Sequence, residues 1–200
     1  MPPVMWNHSI QMEPRAYTCG FCGHHTGPNQ GFFSSNTQPQ ARIYICTFCG
    51  GPTYFDSSNP NPAACKQYPG VLFGNSVASL PPDVEKLFAE ARQGMAVSSY
   101  TAAVLTCRKL LMHLAVEKGA TAGKSFMEYV EYLAGKGYVP PGSEAWVDHI
   151  RKKGNEANHE IKIMYEEDAK ELIIFMEMLL RFMYEFPGKI KPAGTGSKKP

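Results

Sequence analysis

From residue 82 onward, apolar side chains recur every three or four positions, the spacing that gathers them on one face of an α-helix. Val84, Leu87, Phe88, Ala91 and Met95 trace the first such face, with Asp83 and Glu85 where a helix N-terminus favours negative charge. Tyr100, Ala103, Val104, Cys107, Leu110, Leu111 and Leu114 trace a second, which ends before Gly119. A third helix is predicted from about Lys124 to Ala134, stopped by Gly135 and Gly137, and a fourth starts after Pro140-Pro141-Gly142, with Ser143 as N-cap. The last, about Glu166 to Glu185, is apolar over most of its circumference; only Glu177, Arg181 and Glu185, four apart, form a charged strip. A helix of that kind is central in a bundle or shared with a second subunit.

The first 75 residues have a different texture. Arg42 to Cys46 alternates as a strand, and Thr53 to Phe55 can return beside it. A polar, Pro-containing lead precedes Cys19, Gln30 to Gln40 reads as a loop of Gly, Ser, Asn and Pro, and Ser57 to Pro69 reads as a turn-forming linker. The expected division is a module with its linker over 1–75, a helical bundle over 76–188 and a disordered basic tail over 189–200.

Two near-identical knuckles, Cys19-Gly-Phe-Cys22-Gly and Cys46-Thr-Phe-Cys49-Gly, give the front module its chemistry. Four thiolates in two Cys-x-x-Cys pairs close a tetrahedral shell, and the Gly after each pair lets backbone NH groups turn toward the sulfurs. The expected cofactor is one structural zinc per chain, held by Cys19, Cys22, Cys46 and Cys49. Disulfides or a redox Cys-x-x-Cys are the competing account; no βαβ pattern surrounds either pair, and the N-terminus lacks the features of a secretory signal. The fold class that follows is mainly α: a small β zinc ribbon, then an all-α bundle of about five helices.

The 200 residues carry a formal charge of +2, with 44% hydrophobic and 19% charged positions, a globular composition. One zinc inside four thiolates adds a net two negative charges and brings the total to about zero, so net charge does not speak for nucleic acid. The tail is the one basic block, with Lys189, Lys191, Lys198 and Lys199 among Pro, Gly, Ser and Thr. No apolar run is long enough to span a bilayer, so the expectation is a soluble, cytoplasmic protein with no membrane partner.

The predicted fourth helix carries a polar flank. At 100° per residue, Arg151, Asn155, Asn158 and His159 share one side, and Arg151, Asn155 and His159 are successive i, i+4 neighbours. An Arg beside a His that titrates near neutrality is a minimal set for acid–base work on a phosphate. The plainer account is that Asn155 and His159 serve helix-end backbone groups and Arg151 is surface charge.

Residues Leu80 to Pro187 resemble a bacterial domain-of-unknown-function family placed in the HEPN superfamily of helical bundles. The resemblance rests on Leu80-Pro-Pro-Asp-Val, on the second-helix stretch from Ala102 through Arg108, on Gly154-Asn155-x-x-x-His159 in the fourth helix, and on the closing Tyr184-Glu-Phe-Pro. It implies RNA engagement in a defence or stress context, and in catalytic members metal-independent ribonuclease chemistry across a homodimer. His159 would then act as acid or base on a 2′-hydroxyl or leaving oxygen, Arg151 would bind the phosphate and Asn155 would orient it. The superfamily's catalytic pattern places four to six residues between Arg and His; here seven intervene between Arg151 and His159. That spacing and the near-neutral charge favour the alternative, a non-catalytic adaptor whose ribbon binds a protein or nucleic acid and whose bundle dimerises; the shared flank of Arg151, Asn155 and His159 favours RNA engagement, with cleavage as its catalytic form, which is the leading reading.

Other chemistry-bearing residues have plainer readings. Cys107 lies on an apolar stripe and reads as a core thiol, Cys65 as a free thiol, and His113 as a solvated partner of Glu117. His24 and His25 follow a shell that four thiolates already close. Phe21, Phe32, Phe33, Tyr44, Phe48, Tyr54 and Phe55 read as the small core that a metal-stapled module needs, with base stacking as the alternative.

Overall fold

The computed structural model describes residues 4–36, 38–61, 64–139, 150 and 163–190. The chain divides into two units, Met1–Phe73 with Met95–Ser98, and Gly74–Gly94 with Ser99–Pro200. The predicted fourth helix, with Ser143, Arg151, Asn155 and His159, lies outside the described residues except for Ile150, and so does the tail beyond Ile190.

The mainly α expectation does not hold. Before residue 70 the described residues form seven strands, β1 (Ile10–Gln11), β2 (Tyr17–Thr18), β3 (His25–Thr26), β4 (Gln30–Phe33), β5 (Arg42–Ile45), β6 (Pro52–Phe55) and β7 (Gln67–Tyr68). They make an antiparallel five-stranded sheet in the order β1-β4-β5-β6-β7 and a separate β2–β3 hairpin. Strands and helices are thus segregated along the chain, an α+β arrangement.

Four strands fall where the sequence reads as lead (β1 and β2), loop (β4) and linker (β7). β4 was hidden by its glycine, yet the sheet requires that glycine: a Cβ on Gly31 would lie 1.8 Å from the Ile43 carbonyl oxygen. A side chain there would force β4 off β5, so the residue that weakens the strand signal permits the pairing. β1 and β7 span two residues each, too few to show alternation. β7 is tied in by Gln67, whose Nε2 donates to the carbonyls of Thr18 (2.8 Å) and Pro69 (3.0 Å).

The core of this unit is small and aromatic. Tyr17, Tyr44 and Phe55 cluster with Cys19 and Cys46, and the Tyr17 and Phe55 rings meet edge to face at 5.2 Å. Tyr44 donates its hydroxyl to the Glu13 carbonyl at 3.0 Å. Only two of the aromatics expected in this core, Tyr44 and Phe55, are buried; Phe21, Phe33, Phe48 and Tyr54 are exposed, and Tyr17 takes the remaining place.

The helices among the described residues follow: α1 (Pro82–Ala96), all but its last two residues in the second unit, then α2 (Tyr100–Glu117), α3 (Phe126–Gly135) and α4 (Glu166–Leu180), a π-helical turn (Arg181–Glu185) and a short α5 (Phe186–Lys189). The apolar stripe of α2 is buried from Ala103 to Leu114 and packs against α3 and α4. Ser125 caps α3: its hydroxyl accepts from Glu128 N at 3.3 Å, and Glu128 Oε2 accepts from Ser125 N at 2.8 Å, a reciprocal capping box. α4 buries Leu172, Ile173, Phe175, Met176, Leu179 and Leu180, leaving Ile174 and, beyond it, Phe182 and Phe186 exposed. The charged strip is a ladder. Arg181 reaches Glu177 (Nη2 to Oε1, 2.9 Å) on one side and Glu185 (Nη1 to Oε2, 3.0 Å) on the other. Glu177 in turn accepts from Asn75 N (2.8 Å) and Nδ2 (3.0 Å), and Glu185 from Ala78 N (3.3 Å), which fastens the segment leading into α1.

Candidate metal centre

Two tight turns bring the cysteines together. The first joins β2 to β3 and carries Cys19 and Cys22; the second joins β5 to β6 and carries Cys46 and Cys49. Their backbones repeat one another. Cys19 N donates to His24 O (2.9 Å) and Gly23 N to Cys19 O (2.9 Å); at the same offsets Cys46 N donates to Gly51 O (3.0 Å) and Gly50 N to Cys46 O (2.9 Å). Gly23 and Gly50 hold the same step at φ 73° and 70°, a left-handed conformation that side chains oppose.

The four Sγ atoms lie within 4.8 Å of one another, with Cys19–Cys49 and Cys22–Cys46 both at 3.8 Å. A tetrahedral site with metal–sulfur bonds of about 2.3 Å has sulfur–sulfur edges of about 3.8 Å, so the spacing fits one ion. A disulfide would need sulfurs about 2.05 Å apart, and all four cysteines are free.

The electrostatics agree. Burial opposes ionisation of Cys46, but the NH groups of Cys49 and Phe48 and the thiols of Cys19 and Cys22 outweigh it and bring that thiol down to about 7. Burial and the three neighbouring sulfurs push Cys49 up to about 12 against the pull of the Gly51 NH, and Cys22 is also raised, burial first. Without a cation the cluster resists further negative charge; a bound metal supplies the charge that lets all four ionise. Gly51 N, 3.4 Å from Cys49 Sγ, points a donor at the thiolate. Four sulfurs fill the shell and leave no open position for a substrate or a reactive water, the arrangement of a structural site.

Around the shell the correspondence extends to side chains. Phe21, just before Cys22, covers Gly51, where a Cβ would come 2.7 Å from Phe21 Cδ2. Phe48, just before Cys49, stacks on His24, the residue equivalent to Gly51. The Thr26 and Thr47 hydroxyls meet at 2.8 Å between the two turns, and Trp6 Nε1 donates to Gly50 O at 2.8 Å. These contacts escaped the sequence reading, though the equal offsets of Phe21 and Phe48 from their cysteines carried a trace of them. A cavity of about 610 Å3 adjoins the second turn, lined by Val4, Asn29, Gln30, Thr47 and Phe48 among others.

The remaining candidates stand apart from the sulfurs. Cys65 donates to the carbonyls of Asn59 (3.4 Å) and Asn61 (3.7 Å). Cys107 is buried in α2, and burial pushes its thiol up to about 12, as befits a core residue. His113 faces Glu117 at 3.9 Å on the surface. Arg151, Asn155 and His159 lie outside the described residues, so no geometry is assigned to them.

A family model described as a domain of unknown function (DUF4145) matches residues 89–194, just over half of the chain. The chain belongs to this family. Neither a curated protein nor a solved structure matches it. The DUF4145 match begins inside α1, so the cysteine-bearing turns precede it, and it takes in Arg151, Asn155 and His159. No helix among the described residues is long and apolar enough to cross a membrane.

Proposed function

We propose that this protein is a zinc-ribbon adaptor whose ribbon presents Phe21 and Phe48 to a protein partner, while the DUF4145 segment dimerises. One observation carries the reading: two phenylalanines at equivalent positions of the two turns are 55% and 63% exposed, although the unit has few large side chains to spare for its core. Exposed aromatics held on a rigid scaffold are the usual anchors of protein interfaces. Residues 1–75 hold three basic and two acidic side chains, too little charge for binding through phosphates alone. Tetrahedral sulfur sites take zinc or iron, and the closed shell of four thiolates supports zinc in a structural role. The exposed Ile174, Phe182 and Phe186 offer the face for a homodimer.

The test uses the full-length chain. Partners captured by the wild type are compared with those captured by a Phe21→Ala, Phe48→Ala variant whose metal content is measured alongside. Loss of a specific protein with the metal retained supports the adaptor; a partner set indifferent to both phenylalanines overturns it.

A second reading draws on the reach of the DUF4145 match, which includes the polar flank of Arg151, Asn155 and His159. In that reading the chain is a HEPN-like RNA-binding protein that cleaves RNA without a metal, with His159 moving the proton and Arg151 and Asn155 holding the phosphate. Purified protein would then cut single-stranded RNA with no added divalent ion and leave 2′,3′-cyclic ends. His159→Ala and Arg151→Ala would each lower the rate by about 10² to 10⁴. No turnover across varied RNAs from a confirmed dimer rejects this reading.

A further inference from the structure

The β5–β6 hairpin has two ends. One carries the Cys46–Cys49 turn; at the other, where Arg42 pairs directly with Phe55, lies a second cavity of about 280 Å3. Arg15, Arg42, Phe55, Asp56, Asn59 and Cys65 line it.

Its walls are held in place. The Arg15 guanidinium lies over the Phe55 ring, 3.7 Å from the centroid, and Phe55 is itself fixed in the core by Tyr17 and Tyr44. Directly opposed residues of an antiparallel pair share a face, so Arg42 stands beside the same ring. Arg15 and Arg42 therefore both line one cavity. The negative group there is Asp56, and its Oδ1 is engaged in shaping the loop, accepting from Ser58 N (3.4 Å), Ser58 Oγ (2.8 Å) and Lys66 N (2.9 Å). Cys65 braces the opposite wall through its bonds to the Asn59 and Asn61 carbonyls. Gln38 and Gln40 also line it.

We propose that this cavity binds a small oxyanion, a phosphate or carboxylate group carried by a small molecule, between Arg15 and Arg42. Guanidinium forks match the oxygen geometry of both groups, and a fork already stacked on an aromatic ring loses little freedom on binding. The volume, just under the range of pockets for drug-sized ligands, suits a small metabolite. The site is independent of the adaptor reading, which rests on the phenylalanines of the two metal-bearing turns.

Calorimetric titration of the metal-loaded full-length protein with sodium phosphate, and separately with sodium succinate, at constant ionic strength tests it. Saturable binding of either supports the site, and which of the two binds assigns a phosphoryl or a carboxylate ligand. Arg42→Gln is expected to weaken binding by about tenfold or more, the loss of a charge-assisted hydrogen bond. Arg42→Lys, which keeps the charge but not the fork, falls between and covers the case in which the Gln variant does not fold. Arg15→Gln provides a second reading from the other wall, with metal content checking the fold. Absence of saturable binding with both probes, or affinity unchanged in the Arg42 and Arg15 variants, overturns the proposal.

Discussion

Phe48 lies flat against His24, ring centroids 4.5 Å apart and planes 15° from parallel. The contact joins the second cysteine-bearing turn to the residue just past the first, and Phe21 on Gly51 completes the exchange. Both rings sit outside the sulfur shell and brace it lightly. A stacked pair contributes about 0.5 to 1.5 kcal/mol beyond its buried area. Phe48→Ala should therefore cost little more than that in a thermal melt, with the metal retained in full; loss of metal from this variant would show that the ring is part of the shell's support.

Metal removal should divide the molecule. The first unit's core is three aromatics and two cysteines, too small to hold seven short strands without the ion. Chelation, or Cys19→Ser with Cys46→Ser, is expected to abolish its near-ultraviolet aromatic signal while the helical far-ultraviolet signal persists. Elemental analysis should return one zinc per chain. A reduced, well-folded preparation with no metal would refute both expectations.

Gly31→Ala isolates the sheet from the sulfurs. A methyl 1.8 Å from the Ile43 carbonyl oxygen cannot be accommodated by a side-chain rotation, because the obstruction is backbone. The expected loss is about 3 kcal/mol or more of the first unit's stability, at the upper end of overpacking costs. Equal denaturation midpoints for variant and wild type would contradict the β4–β5 contact.

The Arg181 ladder gives the second unit an acid-sensitive fastening. Burial opposes ionisation of Glu177, but the Asn75 NH, the Asn75 amide and Arg181 together hold its carboxyl below the ordinary value. A depressed folded value means that the stabilisation is complete above the unfolded carboxyl value of about 4.3 and is lost as pH falls through the folded one. Glu177→Ala should cost on the order of 2 kcal/mol at neutral pH, as charge-assisted hydrogen bonds do. The gap between variant and wild-type melting temperatures should close below about pH 4. A gap that stays constant down to pH 3 would assign the effect to packing.

The described helices were legible because their apolar residues repeat over several turns: the stripe from Tyr100 to Leu114 and the dense run from Leu172 to Leu180 leave few alternatives. The cysteine cluster was legible because two Cys-x-x-Cys pairs constrain geometry by themselves. The sheet was not. β1 and β7 have no room for a period, and β4 contains the glycine that reads as a loop. The division of aromatics was also invisible, since composition offers Phe21 and Phe55 alike; only the register that pairs Phe55 with Arg42, and the turn that carries Phe21 outward, separates core from surface.

On the adaptor reading, the paired turns also make the proposed recognition face conditional on an ion. Neither hairpin holds more than two of the four sulfurs, so a metal bound by all four would tie the hairpins together and fix the mutual placement of the phenylalanines. By mass action, each tenfold change in free metal above the dissociation constant moves the folded unit's stability by about 1.4 kcal/mol. On the adaptor reading proposed above, partner binding would therefore rise and fall with the supply of a trace element, and a ribbon that reads as a passive staple would report metal availability to its partner.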